Sequence, residues 1–123
     1  MPETISAEAA RYFHLFWDCA PFPVMLIRRD RVIVDRNRAA EAAGCIPGTR
    51  CSERGPREAH LGCLADRALD EGTAKRKVEF RADKGAVVDT YWIPLAGAEG
   101  LFLHFGIDIT PYADGRRFPL KGA

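Results

Sequence analysis

The second half of the sequence constrains the fold most, because it contains three consecutive segments with the composition of β-strands. In the first, residues 76–82, Val78 and Phe80 alternate with charged residues. Residues 87–95 and 101–109 follow, and both are rich in β-branched and aromatic residues. Short turns that contain glycine separate the segments. Strands joined by such turns pair with their neighbours in sequence, so the stretch predicts an antiparallel meander.

The last of these segments predicts that both faces of the sheet are covered. Successive side chains of a strand point to opposite faces, and here both sets are largely apolar. One set comprises Leu101, Leu103, Phe105, Ile107 and Ile109, and the other comprises Phe102, His104 and Gly106. We therefore expect the central helices on one face, and the opening helix or a second subunit on the other.

The opening residues predict an amphipathic helix. Its cap is Ser6 or Thr4, it continues to about Asp18, and its apolar residues recur at three- and four-residue spacing. Pro21 and Pro23 end it. This helix carries a bulky apolar face, which must pack against another apolar surface.

The middle of the chain predicts two more strands and two more helices. Residues 24–27 and 32–34 read as short strands around a charged turn, after which Asn37 caps a short helix. A longer helix is predicted from Glu58 to Glu71, with Leu61, Leu64, Ala65, Ala68 and Leu69 on one face. Gly72 is its expected stop.

Composition and charge narrow the function classes. A chain of 123 residues is one domain that can bury a core without disulfides, so the four cysteines are expected to be thiols. The net charge of +1 argues against nucleic acid or an anionic membrane as partner. Neither a signal peptide nor an apolar run of about 18 residues occurs, so we expect a cytoplasmic protein.

Several short motifs, in order, resemble those of the PAS family of sensory domains over residues 7–113. The family's strand and Asn-x-Ala-Ala helix start are matched by Val32 to Ala40, and its closing motif by Asp108-Ile109-Thr110. Between them lie Gly48, Gly72, Gly85 and Ile93-Pro94-Leu95 at the expected places.

The resemblance implies an α+β fold with a five-stranded antiparallel sheet. Short helices and one longer helix would pack on one face, with an N-terminal amphipathic helix in addition. We divide the chain into a capping or dimerisation helix at 1–20, a PAS-like domain at 21–112 and an irregular tail at 113–123. The family's role is signal perception or domain association, and no catalytic motif is found, so an enzyme is not expected.

A small-molecule pocket is the first site hypothesis, with close-packed core as its alternative. Within it, His104 lies in mid-strand near Gly106, where a ligand could approach, although a hydrogen-bonded core or interface histidine is the competing interpretation. The candidate wall residues are Met25, Ile27, Phe80, Trp92, Phe102, His104 and Phe105.

A redox or metal sensor is the second hypothesis, and it uses Cys51, Cys63 and His60. On the predicted helix His60 and Cys63 are three residues apart, so with Cys51 they can converge on a metal ion or an iron-sulfur cluster. The same helix would lower the pKa of a thiol at its N-terminus and favour a reversible disulfide. Two unremarkable thiols at a loop remain the alternative.

Flavin and haem are two further cofactors that the resemblance brings into question. Flavin-binding light-oxygen-voltage members of the family have a cysteine soon after a glycine, as Gly48 and Cys51 are here, but asparagine and glutamine hold their flavin. This chain has no glutamine and no asparagine besides Asn37, which argues against flavin. Haem held by a histidine on the long helix would need His60, which points away from the apolar stripe.

The output of such a sensor is expected to pass through a partner. The tail from Pro111 contains two prolines and two glycines, which disfavour a continuous linker helix. We therefore expect self-association as a homodimer and a separate effector protein. The predicted dimer surface is the opening helix, through Ile5, Ala9, Tyr12, Phe13, Phe16 and Trp17.

Overall fold

The computed structural model describes residues 6–113, which form one five-stranded sheet with helices on both faces. The elements are α1 (Ala7–Trp17), β1 (Val24–Arg28), β2 (Ile33–Arg36), α2 (Arg38–Ala42), α3 (Ala65–Glu71), β3 (Lys75–Arg81), β4 (Ala86–Pro94) and β5 (Leu101–Asp108). Short 3₁₀ turns lie at Cys51–Glu53, Arg57–His60 and Thr110–Tyr112. Ile5 and the predicted tail beyond residue 113 lie outside the described residues.

The sheet confirms the predicted fold class and meander. Its strand order is β2, β1, β5, β4, β3, and every neighbouring pair is antiparallel. The first and last strands of the sequence, β1 and β5, pair with each other at the centre of the sheet. None of the helices between residues 6 and 113 has both the length and the apolarity that crossing a membrane requires.

Helix α1 covers one face of the sheet, as the sequence predicts. Its cap is Ser6, whose hydroxyl accepts a hydrogen bond from the Ala9 amide at 3.0 Å. Phe13 is 5% exposed and anchors the helix in a core that also holds Val24, Leu26, Leu103 and Phe105. We call this the α1 face.

Helices α2 and α3 lie over the opposite face, which we call the α2/α3 face. Its core contains Ile27, Ile33, Ala40, Cys45, Ala65, Ala68, Trp92 and Phe102. Ala40 of α2 and Ala65 and Ala68 of α3 are fully buried, so the helix backbones approach the sheet closely at these positions. Each residue that alternates along β5 therefore has an apolar layer to pack against, which explains why both of its faces are apolar.

Asn37 joins the two layers. It is 1% exposed, and its side-chain oxygen accepts hydrogen bonds from the amides of Val24 at 2.9 Å and Ala40 at 3.0 Å. Its amide nitrogen donates to the carbonyls of Trp17 at 2.9 Å and Phe22 at 3.0 Å. The predicted cap of α2 is thus confirmed, and the same side chain also fixes the connection between α1 and β1.

The predicted start of the longer helix at Glu58 is wrong. The chain makes a 3₁₀ turn at Arg57–His60, and Gly62 then takes a left-handed conformation with φ of +77°, which interrupts any continuous helix. Helix α3 begins only at Ala65, and Leu61 is 66% exposed rather than on an apolar stripe. The stop at Gly72 is confirmed.

Candidate functional site

A row of cross-strand neighbours runs over the α2/α3 face and defines the candidate site. From β2 to β3 the paired residues are Arg36, Met25, His104, Trp92 and Lys75. Directly paired residues of an antiparallel sheet project to the same face, and neighbouring strands lie about 4.8 Å apart. The row therefore places a cation, a thioether, an imidazole and an indole side by side, beneath the segment that connects α2 to α3.

Solvent exposure differs sharply between neighbouring side chains of the α2/α3 face. Ile27, Phe102 and Trp92 are 0%, 1% and 5% exposed, whereas Met25 and His104 between them are only half-buried. Solvent therefore reaches the covered face at these two side chains. This partly exposed position, called the opening below, is bordered by the almost fully buried apolar side chains of Ile27, Phe102 and Trp92.

His104 presents one hydrogen-bond acceptor at this opening. Its Nδ1 lies 3.0 Å from the carbonyl of Tyr91, and because a carbonyl only accepts, Nδ1 carries the proton and donates. Desolvation lowers the pKa of His104 to about 4, so the ring is neutral near pH 7. Its Nε2 is then an acceptor, and within residues 6–113 no donor bonds to it.

Aromatic contacts hold the His104 ring in place. It stacks on Trp92 with ring centroids 5.2 Å apart and meets the edge of Phe102 at 6.4 Å. Together with the Tyr91 hydrogen bond, these contacts fix the direction of Nε2. The hydrogen-bonded histidine considered from the sequence is therefore observed, and it also keeps one free acceptor.

The expected space beside Gly106 is not open to a ligand. A Cβ atom on Gly106 would lie 2.7 Å from Cγ1 of Val88 and 3.6 Å from the hydroxyl of Thr90. The cross-strand neighbours on β4 thus fill the position. The absence of a side chain at Gly106 serves strand packing, and this part of the hypothesis is corrected.

Phe105 and Phe80 do not join the other predicted wall residues. Phe105 lies in the core of the α1 face, where its ring is 5.6 Å from that of Trp17. Phe80 pairs with Val87 on β4, and five positions separate Val87 from Trp92, so Phe80 also points to the α1 face. Met25, Ile27, Trp92, Phe102 and His104 are brought together on the α2/α3 face.

Two arginines that the sequence did not single out lie at the β2 end of the row. Arg36 donates from Nη2 to Glu41 at 3.1 Å, but its Nε is buried without a hydrogen-bond partner in the described structure. Arg54 points Nη1 at the Met25 sulfur, 3.6 Å away. Burial raises the pKa of the nearby Cys45 thiol, and both guanidinium groups oppose that rise. Neither arginine gave a sequence signal, because only the fold brings these groups together.

Comparison with known proteins identifies the fold. No protein-family model and no curated protein matches the sequence. Among solved structures, a domain of an HTR-like protein from Haloarcula marismortui ATCC 43049 is 22% identical, with a TM-score of 0.60 over 74% of this chain and 100% of that one. A sensory box sensor histidine kinase from Vibrio cholerae is 22% identical, with a TM-score of 0.61 over 85% and 92%.

A third similar structure is the photoactive yellow protein domain from the sensor histidine kinase Ppr of Rhodospirillum centenum. It is 17% identical, with a TM-score of 0.59, and covers 85% of this chain and 100% of that domain. The chain has a PAS-like fold. At these identities the similarity establishes the architecture of the PAS-like domain and leaves its ligand to be argued from its own residues.

The three predicted ligands of a metal site are dispersed in this PAS-like domain. Cys51 is half-buried, Cys63 is exposed, and the ring of His60 donates to the carbonyl of Arg54. Within the part of the chain that the structure describes, no three His, Cys, Asp or Glu side chains are placed to hold a metal ion. No helix connects His60 to Cys63, so the helical spacing on which their expected convergence depended is absent.

The thiols also differ from expectation. Burial raises the pKa of Cys51 to about 11, where a helix N-terminus was expected to lower a thiol pKa. Cys51 and Cys63 are unbridged, but they are near enough for Cys63 to contribute to that rise. Cys63 is also in contact with the guanidinium group of Arg31.

The predicted dimer residues of the PAS-like domain divide into two sets. Phe13 is buried and Trp17 stacks toward Phe105, so both pack against the sheet of their own chain, with Ala9 half-buried beside them. Tyr12 and Phe16 are 47% and 74% exposed, one turn apart. Among the predicted dimer residues that the structure describes, only this second set is exposed on α1.

Proposed function

We propose that this PAS-like domain is a non-enzymatic sensory module that binds a small ligand on the α2/α3 face. The observation that carries the proposal is His104, a neutral and rigidly held imidazole whose Nε2 has no donor among the described residues and which is the cross-strand neighbour of Met25. Aromatic and apolar groups surround this single acceptor, which suits recognition of an apolar ligand with one hydrogen-bond donor. Two of the similar structures come from sensor histidine kinases, which supports a role in signal perception.

Trp92 gives a direct test, because it stacks on His104 and the chain has only two tryptophans. The Trp17→Phe variant leaves Trp92 as the sole reporter. We expect a library of small apolar donors to contain compounds that change Trp92 fluorescence and raise the unfolding midpoint. His104→Phe, which keeps a ring against Trp92 but removes the acceptor, is expected to lose the response. Equal responses in both proteins would place binding elsewhere and reject the proposal.

Signal output is proposed to use association of two copies through α1, together with a separate effector protein. Tyr12 and Phe16 offer an exposed aromatic pair beside the part of α1 that packs on its own sheet. A two-fold symmetric dimer needs one self-complementary patch, and a helix flank of this kind can provide it.

A redox sensor is the second candidate, favoured by the proximity of Cys51 to Cys63 and of Arg31 to Cys63. With peroxide as oxidant, the two thiols would lose two protons and two electrons to form a disulfide, and peroxide would be reduced to two waters. Thiol counting before and after mild peroxide tests this. Loss of two thiols that Cys63→Ser prevents and Cys19→Ser does not would support it, and an unchanged count would exclude it.

A further inference from the structure

The two arginines at the β2 end of the row hold more hydrogen-bonding capacity than the fold uses. Arg36 is paired with Glu41 through Nη2 alone, and the carboxylate of Glu41 is mostly in solvent, with 66% of its side chain exposed. The Nε of Arg36 is buried and has no hydrogen-bond partner among the described residues. A buried donor without an acceptor costs free energy, and such groups in native proteins usually have a partner.

Arg54 is also short of an anionic partner. It is half-buried, and its acceptors are the sulfurs of Met25, 3.6 Å away, and of Cys45. Thioether and thiol sulfurs are weak acceptors, so they replace little of the hydration that a guanidinium group loses. Of the side chains that the structure describes, no Asp or Glu lies within ion-pair distance of Arg54.

The two guanidinium groups belong to one place. Met25, which Arg54 contacts, is the cross-strand partner of Arg36, and both arginines act on the same Cys45 thiol. His60 donates to the backbone carbonyl of Arg54, a bond within the connecting segment that fixes its local conformation. Two cations from different elements are thus brought together at the end of the row that leads to His104.

We propose that the ligand of this face is an organic anion whose oxyanion group, a carboxylate or a phosphate, binds to Arg36 and Arg54. This rests on the proposed function and assigns the chemical class of its ligand. Guanidinium groups bind planar oxyanions through paired N–H donors, and the bonds are stronger because both partners are charged. The apolar part of the ligand lies on Met25, and a donor at its far end reaches Nε2 of His104.

The strand spacing sets the length of this ligand. Arg36 and His104 are two strands apart, a separation of about 10 Å between their backbones. A ligand that reaches from one side chain to the other therefore needs an oxyanion and a donor no more than about 10 Å apart. One aromatic ring system with a short acidic side chain fills that distance.

Indole-3-propionate, with a carboxylate at one end and an N–H donor at the other, is a suitable probe for isothermal titration calorimetry. Its primary amide replaces the carboxylate by a neutral group of the same shape, and its 1-methyl derivative replaces the N–H donor by a methyl group while it keeps the ring system. We expect the acid to bind at least about tenfold more tightly than the amide, the factor that one charge-assisted interaction supplies. Inorganic phosphate is titrated in parallel, because a rise in the unfolding midpoint with phosphate alone would indicate a site for the free anion rather than for an organic one.

Variants assign the effect to residues. Arg54→Gln and Arg36→Gln are each expected to remove the preference for acid over amide, whereas Arg57→Gln, the same change at an exposed position in the same segment, leaves it intact. Unfolding midpoints establish that all three variants are folded. A preference that persists in both Arg54→Gln and Arg36→Gln overturns the assignment.

The outcomes separate the two proposals. If acid and amide bind equally and His104→Phe weakens both, the face binds ligands but the assignment of an anion is wrong. If neither compound binds and phosphate leaves the unfolding midpoint unchanged, the anion site is rejected, and the library test with Trp92 then decides the sensory proposal by itself.

Discussion

At the scale of single residues, Asn37 concentrates four hydrogen bonds in one short, buried side chain. Asn37→Ala removes the acceptor of the Val24 and Ala40 amides and the side-chain donor to the Phe22 carbonyl, whereas the Trp17 carbonyl keeps the Ala20 amide as donor. We expect a loss of about 2–4 kcal/mol in the free energy of unfolding, measured with urea. Ser6→Ala is the matched control, since it removes an exposed helix cap and is expected to cost about 1 kcal/mol. Equal losses would contradict the role assigned to Asn37.

Gly106 makes a second prediction at this scale. In Gly106→Ala the new methyl group would meet Cγ1 of Val88, whose side chain is buried and branched and therefore has little freedom to move. We expect a loss of about 1–3 kcal/mol in unfolding free energy. Adding Val88→Ala removes the clash, so the double variant is expected to lose less than the sum of the two single variants. Strict additivity would show that the contact is unimportant.

At the scale of elements, the attachment of α1 to the sheet is expected to depend on pH. His14 donates to Asp18 at 2.7 Å and to Asp35 of β2 at 3.0 Å, and Arg38 lies 3.8 Å from Asp18. The pKa of His14 is raised from its ordinary value of 6.5, chiefly by the hydrogen bond to Asp18 and further by the charges of both aspartates. The stabilisation that protonated His14 gives to the folded state is complete below pH 6.5, and it is lost as the pH rises through the raised pKa.

The measurement compares wild type with His14→Gln. Their difference in unfolding free energy is expected to be largest near about pH 6 and to shrink by about pH 8, because the neutral imidazole has only one N–H to donate. The side chain is 41% exposed, so the effect is modest. A difference that stays constant over this range would show that His14 acts only through packing.

The elements also show what local sequence determines. The strands and the caps at Ser6 and Asn37 were predictable, because alternation and capping depend on residues close in sequence. The extent of α3 was not, since the spacing of Leu61 and Leu64 fits a helix and only the conformation of Gly62 interrupts it. The Nζ of Lys77, on the distant strand β3, lies 2.7 Å from where a Cβ of Gly62 would be, so tertiary contacts reach this turn.

At the scale of the whole molecule, α1 is expected to show two separable roles. Tyr12→Ala with Phe16→Ala is expected to shift the mass measured by light scattering toward the monomer, with little change in unfolding free energy, since both side chains are exposed. Phe13→Ala instead removes a buried ring and is expected to cost about 3–5 kcal/mol. If the double variant keeps the mass of wild type, α1 is not the dimer surface.

Only the assembled sheet decides which parts of the candidate site meet. Five of the seven predicted wall residues share one face. Side chains alternate along each strand, and the register of β3 and β5 with their neighbouring strands places Phe80 and Phe105 on the other face. Arg36 and Arg54 were missed for the same reason. Single-sequence patterns show which side chains share a strand face, whereas register between strands and the path of a loop are set by tertiary packing.

Asn37 has a mechanical consequence for the two sides of the molecule. It bonds the last turn of α1 through the Trp17 carbonyl and the first turn of α2 through the Ala40 amide. Those helices lie on opposite sides of the sheet, and the side chain between them is short and fully held. A displacement of α2 must therefore either break one of these hydrogen bonds or move the end of α1 with it. Through this one residue, the helices on the two sides of the sheet are mechanically coupled.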